Sequence, residues 1–260
     1  MRTDHSWHEI TCADQTLDDP EIPNHRAPYR EHYTNIAKYR EVVTIRDEGI
    51  RNKIHQTYRL HYLREVVLSR VLDEGTFGIL NGFIFFNQVD IVNHVQNNDS
   101  LLVELLTPFK GQTASAEPDS TPLDEKKRDA LIFLHQLLVL SKPVQMAGRL
   151  ALYRGLIERG LLYVVEWAFR RKEDQILHTA SEILTFTLEH DTNAVRNHIL
   201  KEEDAKTTTL LAEITGIQAS TENIGLASHL SDSIRSLLDV PSETEVSLYW
   251  PRHNRPGKRY

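Results

Sequence analysis

A single cysteine, Cys12, stands in 260 residues. It cannot close an intramolecular bridge, so a disulfide-held secreted scaffold is excluded and a reducing compartment is expected. Long apolar runs are missing as well: nothing approaches the roughly 18 residues of a membrane-spanning helix. The opening MRTDHSWHEI carries acids and histidines where a secretory signal would place a basic and then an apolar segment, so no signal is read there. Glycine and proline are scarce, 11 and 10 in all. Between Arg30 and Pro241 they fall between apolar-periodic stretches, the punctuation of helices joined by short turns, and strands are hard to find.

The signatures of common chemistry are missing too. No GxxxxGK(S/T), GxGxxG or GxSxG string occurs, and a chain of helices lacks the strand ends on which such loops are mounted, so no cofactor is expected. Thirteen histidines are present, yet no two stand at metalloprotease spacing. His8 and Glu9 begin an HExxH-like string that ends on Cys12, a thiol with no cysteine partner nearby, so no metal is expected. Glu189, His190 and Asp191 are consecutive and therefore diverge around a helix; they read as a capped helix end, not an acid–base group. No catalytic residue is assigned.

What is present is ordinary for a soluble globular chain, 40% hydrophobic and 26% charged residues. The four positive charges within residues 250–260 (Arg252, Arg255, Lys258, Arg259), set against a net charge of −7, leave −11 on the rest. That balance speaks against nucleic-acid or anionic-membrane binding, which needs clustered positive charge. It suits binding of basic partners, or simply keeps a helical surface soluble.

Asp47 is placed to cap a long helix in which Ile50, Ile54, Tyr58, Tyr62 or Leu63, Val66 and Val67 recur at spacings of three and four, with Arg51, Lys53, Arg59 and Arg64 opposite. A second helical stretch runs from Thr76 through FGILNGFIFFNQVDIVNHVQ, broken near Asn87. Its FIFF run, Phe83 to Phe86, reads as core. Asp99 then caps LLVELLTPF, and residues 111–122 read as an exposed loop. The segment Lys126 to Leu140 is apolar on almost every side and is expected to be sandwiched between neighbours. The basic group Arg170, Arg171 and Lys172 reads as a solvated turn.

From Gln145 the order becomes repetitive: a helix ending at Gly160, LLYVVEWAFR, a charged turn, QILHTASEILTFTLEH with the small Ala180 inside it, and a further helix opened by Asp191. A short, a middle and a long third helix, with a period of roughly 40 residues, is the armadillo-type pattern. Looser copies lie before it, at NNDSLLVELL and RDALIFLHQLL, and after it, at TTLLAEITGI and ENIGLASHLSDSIRSLLDV. The fold class is therefore all-α, an α-α superhelix of armadillo/HEAT-like repeats, with an irregular bundle as the competing reading. Residues 1–28 form a partly irregular N-terminal segment, 29–240 the repeat domain, and 241–260 a basic tail expected to be disordered. Third helices of such repeats line a groove that binds peptides or other domains. Its outward polar positions would be Asp129 and Gln136, then His178, Glu182, Thr185 and Glu189.

Three stretches carry a resemblance: LDDPEIPNHRAPYREHYTNIAKYREVVTIRDEGIRNKIHQTYRLHYLREVVL, FIFFNQVDIVNHVQ and KKRDALIFLHQLLVLSK. With IHQTYR at Ile54 to Arg59 and FIFFNQVDIV at Phe83 to Val92, the chain resembles the central helical domain of the phosphatase 4 regulatory subunit 3 (SMEK/Falafel) family over Leu17 to Val240. The resemblance implies a non-catalytic regulatory subunit assembled with the phosphatase 4 catalytic subunit and a second regulatory subunit. Such a subunit directs serine/threonine dephosphorylation to substrate proteins in DNA-damage recovery, cell-cycle control and signalling, in nucleus and cytoplasm. It further implies that this sequence corresponds to the middle of such a protein, without the family's EVH1-like domain and later repeats. The alternative is an armadillo-type adaptor for basic peptides, unconnected to a phosphatase.

Overall fold

Capping side chains set where the helices begin. In the computed structural model, which describes residues 42–68, 71–110, 122–171, 173–204 and 208–239, Asp47 accepts a hydrogen bond from the Ile50 amide at 3.0 Å and opens α1, Glu48–Tyr62. The chain continues through one π-turn, Leu63–Val67, closed by the bond from Leu68 N to the Leu63 carbonyl. Asp73 accepts from both the amide and the hydroxyl of Thr76, which holds its carboxyl below the usual range, and it opens α2, Glu74–Gln96. The expected break near Asn87 does not occur; α2 runs through it. α3 is Asp99–Leu106, and its cap is Asn98, one residue before the expected Asp99, accepting from Leu101 N at 3.2 Å.

The remaining helices are α4, Pro122–Ser141, α5, Met146–Arg159, α6, Leu161–Phe169, α7, Asp174–Asp204, α8, Leu210–Ser220, and α9, Ile224–Leu238. Among the described residues every regular element is helical, and none is long and apolar enough to cross a membrane. The N-terminal segment 1–28, loop positions 111–121 and the tail 241–260 lie outside the described residues; Pro122, assigned to that loop, already opens α4.

The chain divides into two compact units between His94 and Val95. In the first, α1 and α2 meet over Leu60, Leu63, Leu80 and Ile84, with Val67, Leu68 and Leu72 packed alongside. The buried stripe of α1 is rotated from the apolar one read in the sequence: Thr57 and Leu60 are buried, whereas Tyr58 is 50% exposed. Polar pairing moves it, because Lys53 of α1 bonds Asp90 and Arg64 of the π-turn bonds Asn81, so two cations turn toward α2.

The second unit is the repeat array. α4 packs on α7 and α7 on α9, third helix against third helix, while α6 packs on α8, second against second. Gly160, at φ 111°, ends α5 in the left-handed conformation that glycine adopts without penalty and hands the chain directly to α6. Asp191 leaves helical geometry (φ −154°, ψ 78°) and accepts from Ala194 N at 2.9 Å, so α7 is a third helix up to His190 and the next repeat's first helix beyond it. Corresponding helices begin at Leu161 and Leu210 and at Asp174 and Ile224, 49 and 50 positions apart, a longer period than the armadillo value. Ala180, Ile183 and Leu184 on α7 are wholly buried, as are Leu134 and Leu138 on α4, each leucine or isoleucine contributing about 2 kcal/mol of transfer free energy. Arg196 locks the last helix: its guanidinium donates to the carbonyls of Ser236, Leu237 and Asp239, which α9 itself leaves unpaired.

Two expectations about packing need correction. Phe83 and Phe86 are 57% and 66% exposed and Phe85 is also exposed, so only Ile84 of the FIFF run enters the core; four consecutive helical positions cannot share one buried face. α4 leaves Ile132 and Val139 exposed, so it is buried on one broad side and not all round.

Candidate functional site

The third helices bring together a row of polar and aromatic side chains. His135 on α4 puts Nε2 2.9 Å from Glu182 Oε2 on α7, and His178, one turn earlier on α7, puts Nδ1 3.7 Å from the same oxygen. His178 in turn meets His229 of α9 edge to face at 5.5 Å. Phe186 continues the row, stacked on His135 at 6.1 Å and covered by the Lys142 ammonium at 4.2 Å from its centroid. α4, α7 and α9 therefore present one continuous face.

The six groove positions fall as follows. Glu182 and His178 lie at the centre of the row, half-buried, and Gln136 is exposed on α4 next to His135. Asp129 is half-buried nearer the start of α4. Thr185 is half-buried with its hydroxyl donating to the Ser181 carbonyl at 2.9 Å, so it serves its own helix. Glu189 is exposed, close enough to Tyr153 for its carboxylate to act on that hydroxyl; burial pushes the Tyr153 hydroxyl up to about 12 and Glu189 adds to the shift. His135, Phe186, Lys142 and His229 belong to the same face without having been singled out in the sequence. The i, i+4 arithmetic places His178 and Glu182 together, but the partners from α4 and α9 depend on which helices pack side by side.

The expected solvated turn after α6 is instead a pinned junction. Arg171 Nη2 bonds Asp124 Oδ1 at 3.0 Å and lies 4.7 Å over the Trp167 ring, while Arg170 Nε donates to Glu213 Oε1 at 2.6 Å. Lys172 lies outside the described residues. Lys127, only 3% exposed, faces the Phe109 and Trp167 rings, and burial pushes its ammonium pKa down. Glu189, His190 and Asp191 behave as a helix end: Asp191 caps, and His190 donates from Nδ1 to the Phe186 carbonyl at 2.7 Å while stacking on Tyr153 at 3.9 Å.

A second cluster lies behind the face. Glu166, buried in the apolar α6, bonds His198 Nε2 on α7, and Glu202, one turn on from His198, accepts from Leu210 N at 2.8 Å. Burial pushes the carboxyl pKa values of Glu202 and Glu213 up, the latter opposed by Arg170.

The family model described as Phosphatase 4 regulatory subunit 3 matches residues 18–250, beginning one residue after the resemblance and running ten residues beyond it. An uncharacterized protein of Schizosaccharomyces pombe is 31% identical over 244 residues, 90% of this chain and 28% of its own length. Suppressor of Mek1 of Dictyostelium discoideum is 28% identical over 225 residues, 86% of this chain and 21% of its own. The chain thus spans less than a third of the length of these relatives. No solved structure matches it.

Proposed function

The chain belongs to the phosphatase 4 regulatory subunit 3 family, and from that premise we propose that its helical repeats are the non-catalytic scaffold of a phosphatase 4 complex, binding other proteins and directing serine/threonine dephosphorylation. The observation that carries this reading is the family match, which spans both compact units. The partners so proposed are the phosphatase 4 catalytic subunit, a second regulatory subunit and substrate proteins. Residence in nucleus and cytoplasm, and roles in DNA-damage recovery, cell-cycle control and signalling, belong to the same proposal.

The face of α4, α7 and α9 fits a partner-binding role physically. A half-buried carboxylate, Glu182, between two imidazoles offers an acceptor for a cationic side chain, and Phe186 offers an aromatic surface beside it. Catalysis would then reside on the partner chain.

Affinity purification of the tagged chain from cells tests the reading. The phosphatase 4 catalytic subunit and serine/threonine phosphatase activity should co-purify. Their absence, where a full-length family member recovers both, would overturn it. If the chain instead selects Lys/Arg-rich peptides in a salt-sensitive manner without any phosphatase, the adaptor reading replaces it.

A further inference from the structure

Glu166, His198 and Glu202 come from two helices, the second helix of one repeat and the first helix of the next, and their ligand atoms all lie within 4.8 Å of one another. Glu166 is buried, and His198 and Glu202 are half-buried. Beside them, Arg170 bridges Glu166 Oε2 at 3.6 Å and Glu213 Oε1 at 2.6 Å, bringing in α8. The second oxygen of Glu213 is buried without a hydrogen-bond partner, on a side chain only 10% exposed. A buried carboxylate oxygen left unsatisfied is costly, and a bound cation would satisfy it. Charge points the same way: the carboxylates of Glu166, Glu202 and Glu213 act on one another, Arg170 pairs with two of them, and a histidine stands among them.

We propose that this pocket binds one divalent transition-metal ion of the zinc type, held by His198 Nε2 and the carboxylates of Glu166 and Glu202, with Glu213 alongside, as a clip between consecutive repeats. An imidazole nitrogen with carboxylate oxygens is a donor set that suits zinc, whereas magnesium and calcium sites are built from oxygen alone. Two of the donors, His198 and Glu202, sit at i, i+4 on one helix face, so a single side chain from α6 completes a three-residue set. Side-chain rotation closes donors this near onto metal bonds of about 2.1 Å. On binding, the ion takes the Nε2 lone pair of His198 in place of the bond to Glu166; a doubly protonated ring gives its Nε2 proton to solvent, and Nδ1 keeps the ring's remaining proton. A 2+ ion also brings three carboxylates and one guanidinium to neutrality. The clip would tie α6 and α7 to α8, the place where the array passes from one repeat to the next.

The test uses the whole 260-residue chain, treated with chelator and then supplied with zinc or cobalt(II). One cobalt per chain should bind with a visible absorption band of low-symmetry coordination, and stoichiometric zinc should raise the Tm and bleach that band. Glu202→Gln and His198→Gln should each abolish the band and the zinc-dependent rise. Because Glu202→Gln removes a half-buried charge that faces two other carboxylates, its metal-free Tm should equal or exceed that of the parent, which separates loss of binding from loss of folding. His55→Ala, in the first compact unit, should leave both readouts intact, as a control for binding by a histidine outside the pocket. A flat zinc response with no cobalt band, or a response that survives Glu202→Gln and His198→Gln, would overturn the proposal and leave a pocket whose carboxylates share protons instead.

Discussion

Asp124 shows how one acid can hold several cations at a helix start. It is buried in the first turn of α4, 3.0 Å from Arg171 and 3.5 Å from Arg128, with Lys127 buried beside it. Asp124→Ala takes the carboxylate away from Arg171 and Lys127 in a poorly solvated site, while Arg128 keeps Glu173, and denaturant unfolding should show a loss of about 3 kcal/mol, far above a surface ion pair. Tyr153 allows a sharper readout. Its hydroxyl, pushed up to about 12 by burial, stays protonated in the folded chain while the tyrosine of an unfolded chain would already ionise at its ordinary value of about 10. The native state therefore holds its proton more tightly, the contribution is complete below pH about 10, and it is lost as pH climbs toward about 12. Phenolate absorbance should show one late-titrating tyrosine that Tyr153→Phe removes, with stability falling less steeply across that window in the variant.

At the scale of elements, α2 sets buried and exposed apolar side chains next to each other. Ile84→Ala should cost about 3 kcal/mol, the range for a packed aliphatic side chain, whereas Phe86→Ser should change unfolding free energy by no more than about 0.5 kcal/mol because that ring is 66% exposed. Equal losses would contradict the orientation of α2. The α5–α6 junction gives a second case. A Cβ at Gly160 would take on φ 111° and lie 3.0 Å from Tyr163 Cδ2, so Gly160→Ala should lower stability by about 1–2 kcal/mol, measured by urea unfolding. Several element boundaries were legible because the signal is local: the Asp47 cap, the Gly160 stop and the Asp191 restart each involve side chains within a turn of the backbone they serve. The α1 stripe was misplaced because Lys53 and Arg64 find partners on α2 that lie 37 and 17 residues away, which no periodicity reports.

For the molecule as a whole, the repeat order predicts a shared face, and that face is where a partner should be lost. Glu182→Lys should weaken recovery of the phosphatase partner several-fold while far-ultraviolet circular dichroism stays helical, since the carboxylate is half-buried and borders solvent. Undiminished recovery would move the interface elsewhere on the chain. Of the candidate face, His178 and Glu182 were readable from helical spacing alone. His135, Phe186 and His229 were not, because a single sequence does not say which turn of α4 or α9 comes opposite which turn of α7.

By itself the sequence determined the class of the protein: helices punctuated by caps and glycine, a repeating short–middle–long order, and strings specific enough to resemble one regulatory family. These follow from local rules that act within a turn or two of helix. Only the tertiary structure decided that Phe83 and Phe86 face outward, that Arg170 and Arg171 are held by acids from other helices, and that a lone glutamate in the apolar LLYVVEWAF meets a histidine 32 residues away. Burying a charge is costly unless a partner arrives from elsewhere in the chain. The pairing that makes Glu166 tolerable is therefore a property of packing, which the order of residues records only indirectly.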